Sequence, residues 1–573
     1  MFKWGNPAHR QPSEISLSHA AARQASGNAI VSTRPGIKEA ERIEEWVALR
    51  LQRAPLPNRV HRLFRWLGHH SEWMVALLAT ILSIGAYIWY AAHGDTLAYA
   101  DAVSHMMIAR RVLFSPTPGI GQLGTNWLPF NHILILPFVW IDPLYRSGLA
   151  GAIPSMFSYV VATVYLFRSA RLLYSSIGAG WVAAALFALN PNMLYMQSTP
   201  MSELVLLGTI ILGLYYLFHW VETERPLDLV FCAAAFAAGT LVRYDAWALA
   251  AVELLVIAYI TWRRHGWTAA EGIVWLYSLL AFAGGAAWIL YNWVLYGDPL
   301  YFLDGPYSAG YQQNNLKALG GLPTYHNLTL SLREYLQAAA NMNFWPLMAL
   351  AGLGLVVTLL RFRFSARMLP VYAVWVLLCF NVLALFLGIT VIYTPQVHLA
   401  LHVSYFNTRY GVMVIPEIAL FVASLVALRR ELVIVGLLVA VVFSGFNPSL
   451  GTPASLQDPL ATQHWSTIRH EAQWFDQHYH GGMILIGASP STALVFTTGL
   501  PDQDFLNENT PAAFDQVIKA PQQYATWIVL SDPKGTVYDA VRAHLDHRID
   551  WRKYYVLRAQ INGVQFYERI GSN

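Results

Sequence analysis

A segment near residue 100 combines carboxylate, phenol and imidazole side chains. Asp95 is followed by Tyr99, Asp101 and His105, and Asp101 and His105 stand one turn apart if the segment is helical. A carboxylate held beside an imidazole can take the proton from an attacking hydroxyl group. The same pair could also be an unreactive ion pair on a solvated helix, and two ligands are too few to establish a metal site.

Two arginine–tyrosine pairs lie beside apolar runs, at Arg243-Tyr244-Asp245 and at Arg409-Tyr410. The planar guanidinium group forms bidentate, charge-assisted hydrogen bonds, which makes arginine well suited to a phosphate. We therefore predict that the two pairs form an anion-binding site. The alternative for Arg243 is an ion pair with Asp245 that serves only the fold.

Two further polar side chains are candidates. His132 follows the turn at Trp127-Leu-Pro129, where it could contact a substrate or hydrogen-bond to the backbone. Glu203 follows Thr199-Pro200-Met-Ser202, so it could lie in the first turn of a helix, where the helix macrodipole favours a carboxylate. It could equally point into a cavity as a catalytic acid or base.

The composition indicates that these residues belong to a membrane protein. The chain has 573 residues, of which 56% are hydrophobic and only 12% are charged, and its mean hydropathy is +0.39. A soluble domain carries about 25% charged residues, so a soluble globule, a disordered chain and a disulfide scaffold are excluded. The net charge of +4 is too small to indicate a nucleic-acid partner.

Apolar runs of roughly 20 residues predict about eleven membrane-spanning helices. Two long outer loops, 93–147 and 296–343, separate some of them, and we expect short interfacial helices in the first loop. The fifth and sixth predicted spans are short. The predicted spans are 74–92, 148–167, 178–196, 202–220, 228–243, 246–262, 272–295, 344–361, 369–392, 409–428 and 432–446.

The distribution of charge predicts the orientation. Residues 1–72 carry eleven Lys and Arg, so this N-terminal region is expected to stay in the cytoplasm. Every alternate connection is basic, beginning with Arg168 and Arg171 and ending with Arg429 and Arg430. An odd number of spans then places the C-terminus outside the cytoplasm.

The composition becomes more polar after residue 446. Segments 483–488, 525–531, 554–559 and 563–568 have the pattern of strands, with a hairpin at Asn562-Gly563, and 537–545 has that of a helix. We predict three parts: the N-terminal region 1–72, a polytopic helical domain 73–446, and a small extracytoplasmic α/β domain 447–573.

Several motifs together resemble the GT-C superfamily of membrane glycosyltransferases, nearest to the protein O-mannosyltransferase and aminoarabinose-transferase branch. They are Tyr99-Ala-Asp101, the turn at Pro129, the stretch from Thr199 to Glu203, and Arg409-Tyr410. The resemblance covers about residues 74–446. It implies a GT-C-like fold and a polyprenyl-phosphate-linked sugar donor, with a catalytic aspartate in the first outer loop.

This resemblance implies an inverting transferase of a bacterial inner membrane. Asp101 is the preferred base, Asp95 is the alternative, and Arg243 and Arg409 would bind the lipid phosphate. The acceptor is open among protein, lipid and glycan, and Trp127-Leu departs from the Pro-Pro-Leu of the family. No cofactor is certain, and a divalent Mg or Mn ion is left open. The alternative functions are a lipid-linked saccharide flippase and a ligase-type transferase that uses a pyrophosphate donor.

Overall fold

The computed structural model describes residues 58–125, 127–305, 308–318, 320–398, 404–429, 432–445, 452–462, 465–488, 491–533 and 538–571. Most of the predicted cytoplasmic region 1–72 lies outside these residues. Residues 63–573 form one compact unit, which contains both the helical bundle and the C-terminal α/β part.

The chain enters the bundle through α1 (Asn58–His93) and then forms the first connecting segment, residues 94–148. That segment is the predicted first outer loop, and it contains short helices as expected. They are α2 (Ala100–Phe114), a 3-10 turn (Ile120–Leu123), α3 (Phe130–Ile135) and α4 (Asp142–Arg146).

The central part of the bundle is made of helices that follow one another closely. They are α5 (Leu149–Tyr174), α6 (Ile177–Ala188), α7 (Pro191–Met196), α8 (Glu203–Thr223), α9 (Pro226–Thr240), α10 (Asp245–His265), α11 (Trp267–Ala281) and α12 (Ala283–Tyr296). Helices α5 and α8 pack closely, because Gly208 of α8 lies against the backbone of Ser158.

A second connecting segment, residues 297–344, precedes the last helices of the bundle. It contains α13 (Tyr301–Asp304), α14 (Ala309–Ala318) and α15 (Leu328–Asn343). The bundle then continues with α16 (Trp345–Phe362), α17 (Leu369–Ala373), α18 (Val376–Phe386), a 3-10 segment (Thr408–Val414), α19 (Ile415–Val426) and α20 (Leu432–Gly445).

Within the described residues, seven helical stretches are long and apolar enough to cross a membrane. The α11–α12 pair, which is bent by 48°, is either an eighth, broken span or a re-entrant loop. The shorter apolar helices α6, α9 and α20 coincide with three other predicted spans. The seven are His70–His93, Leu149–Tyr174, Glu203–Thr223, Asp245–His265, Trp345–Phe362, Leu369–Phe386 and Thr408–Val426.

Two details of the predicted spans were wrong. The sixth span was expected to be short, but α10 is a full-length helix of 21 residues. The third span was expected to run to residue 196, but α6 ends at Ala188. It ends there because Pro191 starts a new helix, α7, and Asn190 Oδ1 caps that helix by accepting from the backbone N–H of Asn192 at 2.9 Å.

The C-terminal part is the predicted α/β domain. Its sheet consists of β1 (Met483–Ile486), β2 (Phe505–Leu506), β3 (Ala525–Leu530), β4 (Tyr555–Ile561) and β5 (Val564–Arg569). The strand order is β2-β1-β3-β5-β4, with β1 parallel to β2 and β3, and β5 antiparallel to β3 and β4. The predicted hairpin is present, with positive φ at Asn562 and Gly563. The helices are α21 (Ala454–Thr462), α22 (Trp465–His478), α23 (Thr492–Thr498), α24 (Pro511–Lys519), α25 (Pro521–Tyr524) and α26 (Ala540–Leu545).

The α/β part packs on the first connecting segment. Trp465 Nε1 donates to the carbonyl oxygen of Ala98 at 2.8 Å, and Arg110 Nε donates to Asp502 Oδ2 at 2.8 Å. The Asp502 side chain is largely buried, so this ion pair lies within the contact and not on its rim. The sheet domain is therefore held directly above the helix that carries Asp101.

Candidate active site

Asp101 and Arg409 form the centre of a cluster of charged side chains. Asp101 lies in the first turn of α2, where the helix macrodipole favours a carboxylate. Arg409 Nη2 donates to Asp101 Oδ2 at 2.6 Å. The Arg409 side chain is only 7% exposed, whereas that of Asp101 is 38% exposed. A buried cation thus holds a carboxylate that remains accessible.

The fully buried carboxylate of Glu203 joins the two predicted arginines. Its Oε1 atom accepts from Arg409 Nε at 3.2 Å and from Arg243 Nη1 at 3.4 Å. Glu203 begins α8, Arg243 follows α9, and Arg409 lies in the 3-10 segment before α19. One carboxylate therefore brings together two cations, and the three residues come from three separate parts of the chain.

An aromatic ring contacts both Arg243 and Arg409, and an amide side chain contacts the carboxylate that pairs with Arg243. The guanidinium carbons of Arg243 and Arg409 lie 4.7 and 5.2 Å from the centre of the Tyr410 ring. Arg243 Nε also donates to Asp245 Oδ2 at 3.2 Å, and Asn381 Nδ2 donates to Asp245 Oδ1 at 3.0 Å. Thus the predicted Arg243–Asp245 pair forms, and it is part of the larger cluster.

A close backbone contact positions the Arg409 segment. A Cβ atom at Gly411 would lie 2.5 Å from the backbone carbonyl of Ala338 in α15. Only glycine allows the 3-10 segment to approach α15 this closely. Tyr335 of α15 supports the same segment, because its hydroxyl group donates to the carbonyl oxygen of Tyr410 at 3.3 Å.

His105 forms a hydrogen bond with His132 and not with Asp101, the partner predicted from the sequence. His105 Nδ1 and His132 Nε2 share a hydrogen bond of 2.9 Å, and the Trp127 ring lies 4.8 Å from that of His105. Because α2 packs on α3, His105 faces His132. Burial lowers the pKa of His105 to about 4 and that of His132 well below its usual value, so both rings are neutral at pH 7.

Two predicted residues lie outside the cluster. The Tyr244 ring stacks on Phe302, with ring centres 5.7 Å apart, and makes no described contact with either arginine. The Asp95 carboxylate forms no ion pair within the described part of the chain, and burial raises its pKa. Of the two candidate bases, only Asp101 contacts an arginine.

Two features of the site were not predicted from the sequence: the presence of Asp458 and the position of Tyr99. Asp458 Oδ2 lies 3.9 Å from Arg409 Nη1 and 3.5 Å from the hydroxyl oxygen of Tyr99. The Tyr99 hydroxyl group donates to the carbonyl oxygen of Ser455 at 2.5 Å. Burial raises the pKa of Asp458 to about 6. Asp458 belongs to α21, beyond the bundle, and no local pattern links it to Arg409. Asn381 was also missed, although an amide inside an apolar run is itself a signal of a polar contact.

The cluster contains two guanidinium groups, of Arg243 and Arg409, and four carboxylates, of Asp101, Glu203, Asp245 and Asp458. No group of three or more His, Cys, Asp or Glu side chains in the described residues is arranged to hold a metal ion. Both arginines already pair with carboxylates, so an anion that binds to them would have to replace one of these carboxylates. Asp101 is the most exposed of them.

The charged groups thus gather where connecting segments cover one end of a helical bundle. Residues 145–291 match the family model described as dolichyl-phosphate-mannose-protein mannosyltransferase. No curated protein matches the sequence significantly.

Solved structures resemble the fold of this chain. The crystal structure of ArnT from Cupriavidus metallidurans bound to undecaprenyl phosphate matches with a TM-score of 0.52 at 12% identity, covering 85% of this chain and 98% of that one. Its apo state matches with a TM-score of 0.49 at 13% identity and the same coverage. The Archaeoglobus fulgidus oligosaccharyltransferase, in a complex with Zn and sulfate, gives 0.48 at 14% identity, covering 86% of this chain and 73% of that one.

The predicted resemblance is confirmed. The family model matches residues 145–291, and the chain shares the fold of the ArnT structure.

Proposed function

We propose that the protein is an inverting glycosyltransferase that moves a sugar from a polyprenyl-phosphate donor to an extracytoplasmic acceptor. The convergence of Arg243 and Arg409 on Glu203, next to the half-exposed Asp101, carries this proposal. The presence of undecaprenyl phosphate in the ArnT structure of the same fold supports a lipid-phosphate donor.

The donor phosphate would take the place of the Asp101 carboxylate on Arg409. Its negative charge grows as the bond to the sugar breaks, and preorganised cations in a partly dry site stabilise that charge. Arg243 would bind the same phosphate, since both guanidinium groups reach one Glu203 oxygen. Glu203 and Asp245 are fully buried, so we assign them the role of positioning the arginines.

Asp101, released from Arg409, would act as the general base. The acceptor hydroxyl attacks the anomeric carbon, Asp101 takes the hydroxyl proton, and the bond between that carbon and the phosphate oxygen breaks. Polyprenyl phosphate leaves, and the configuration at the anomeric carbon is inverted. The carboxylate of Asp101 is the most exposed in the cluster, as a group that meets the acceptor must be.

The orientation belongs to the same proposal. We place the N-terminus in the cytoplasm, the charged cluster and the α/β domain on the outer face, and the protein in the bacterial inner membrane. The basic connections support this orientation, because the residues at the opposite end of the bundle include Arg168 paired with Glu72 and Arg264 paired with Glu224.

The Asp101→Asn variant tests the proposal, and Asp95→Asn is its matched control. We expect Asp101→Asn to lose transfer by about 10²- to 10⁴-fold, because amide cannot accept the hydroxyl proton. Asp95→Asn should retain most of the activity. The measurement is transfer of radiolabelled sugar from undecaprenyl-phosphate mannose in host membranes. Normal transfer by Asp101→Asn would remove this residue from the mechanism.

A further inference from the structure

A cavity of about 390 Å³ lies between the two connecting segments and the α/β domain. Its walls come from α2, from residues 123–125 and Trp127, from the end of α12 with Tyr301, and from loops and helices of the α/β domain. Three parts of the chain that are distant in sequence therefore enclose one space.

Helix α2 connects this cavity to Asp101. Ser104, Ile108 and Arg111 line the cavity, and they follow Asp101 at intervals of three, seven and ten residues. At 3.6 residues per turn these positions share one face of the helix. Ser104 lies about 4.5 Å along the axis from Asp101, so a molecule in the cavity can extend one end to the proposed base.

Aromatic rings form much of the wall. Trp127, Tyr296, Tyr301 and Tyr538 line the cavity, and the rings of Tyr296 and Tyr301 stack in parallel with their centres 4.8 Å apart. Flat, rigid rings with polar tips stack on the C–H faces of sugar rings and lose little conformational entropy when they do so. Trp127 lies at the position where the sequence departs from the family pattern.

Polar side chains stand between these rings. Arg111, Glu508, Asn509 and Asp515 line the same cavity. Among the described residues, the Nε atom of Arg111 has no hydrogen-bond partner, and its Nη2 atom lies 3.5 Å from the carbonyl oxygen of Gln122. Planar groups with donors and acceptors at fixed positions recognise the hydroxyl groups of a saccharide.

We propose that this cavity is the acceptor site and that the acceptor is a saccharide, held by the aromatic rings and by Arg111. This inference rests on the proposed transferase function. A protein acceptor fits less well, because extended peptides commonly pair with an exposed strand edge and no residue lining the cavity belongs to a described strand.

The test uses the full-length enzyme in nanodiscs with undecaprenyl-phosphate mannose as donor. The two acceptor pools are saccharides released from the host envelope by mild acid and tryptic peptides of the envelope proteins. We expect transfer to the saccharide pool, and Tyr301→Ala, Tyr538→Ala and Arg111→Gln should each raise its KM about five- to tenfold, the factor that one lost contact of this kind produces.

The control variant is Tyr554→Ala, on an exposed tyrosine of the α/β domain outside the cavity, which should leave KM unchanged. Binding of undecaprenyl phosphate should be the same in all four variants. Transfer to peptides alone, or an unchanged KM in the three cavity variants, would overturn this inference while leaving the transferase intact. Failure of the wild-type enzyme to bind undecaprenyl phosphate would instead overturn the proposed function.

Discussion

At the scale of single residues, the site depends on guanidinium groups that each contact two carboxylates. Arg409 contacts Asp101 through Nη2 and Glu203 through Nε, and its guanidinium group also lies 4.7 Å from the centre of the Tyr99 ring. Lysine keeps the positive charge but has neither the planar fork nor the stacking surface. The geometry of the cation, and not only its charge, is therefore what the proposed mechanism uses.

Arg409→Lys is expected to lower kcat/KM for the donor by about 10²-fold, because one preorganised contact to the developing phosphate charge is lost. The control is Arg146→Lys, which changes a half-exposed arginine paired with Asp142 and should have little effect. Transfer kinetics with undecaprenyl-phosphate mannose measure both. Equal kinetics in the two variants would contradict the role of Arg409.

From the burial of the His105–His132 pair we predict how the free energy of unfolding depends on pH. Burial depresses the pKa of His105 from 6.5 to about 4, so the unfolded chain binds a proton before the folded protein does. The free energy of unfolding should thus fall as the pH is lowered from about 6.5 to about 4, by on the order of 3 kcal/mol from this residue. Thermal unfolding at several pH values measures the effect.

His105→Gln should reduce this acid sensitivity, whereas His478→Gln, on an exposed helix position, should leave it as in the wild type. Identical pH dependence in wild type and His105→Gln would show that His105 is not protonated on unfolding in this range.

At the scale of elements, helix α21 does more than connect the bundle to the sheet. Asn192 of α7 accepts from the backbone N–H and from the hydroxyl group of Ser455, both at 2.9 Å. These bonds fix the start of α21, and Asp458 then lies one turn further on, against Arg409. A segment outside the bundle therefore supplies a charge to the site.

We expect the donor KM of the wild type to rise with pH around pH 6, and we expect Asp458→Asn to abolish this rise. The ordinary aspartate pKa is 3.8 and burial raises that of Asp458 to about 6, so its negative charge appears as the pH rises through about 6. That charge competes with the donor phosphate for Arg409, and donor KM should therefore rise over this range in the wild type. In Asp458→Asn it should remain at the low-pH value.

Asp476→Asn, an exposed position on α22, is the control and should follow the wild type. If the donor KM of Asp458→Asn rises with pH as in the wild type, another group is responsible for the effect.

At the scale of the whole molecule, the two ends of the bundle differ. One end carries the charged cluster and the α/β domain, and the other carries arginine pairs such as Arg168–Glu72, Arg367–Glu222 and Arg264–Glu224. The positive-inside rule supports the proposed placement of the second end in the cytoplasm.

Labelling of introduced cysteines in intact cells tests this orientation, after replacement of both Cys232, which is buried, and Cys379, which is exposed, by alanine. Tyr554→Cys, on the α/β domain, should react with a membrane-impermeant maleimide. Arg225→Cys, in an exposed connection, should react only after the cells are permeabilised. The reverse pattern would invert the proposed topology.

The sequence by itself determined the class of fold, the approximate spans and most of the strands of the α/β domain. These features follow from local composition and periodicity, which each segment carries whatever its neighbours are. It also identified Asp101, Glu203, Arg243 and Arg409, because charged groups beside apolar runs are costly and few.

Only the tertiary structure decided how those residues pair. Asp101 binds Arg409 and not His105, Glu203 joins two arginines, Tyr244 turns away, and Asp458 enters from α21. These contacts join residues of different elements. Asp101 and Arg409, for example, are 308 positions apart in the sequence. Such pairings depend on how the elements pack, and no spacing within a single segment of the sequence contains that information.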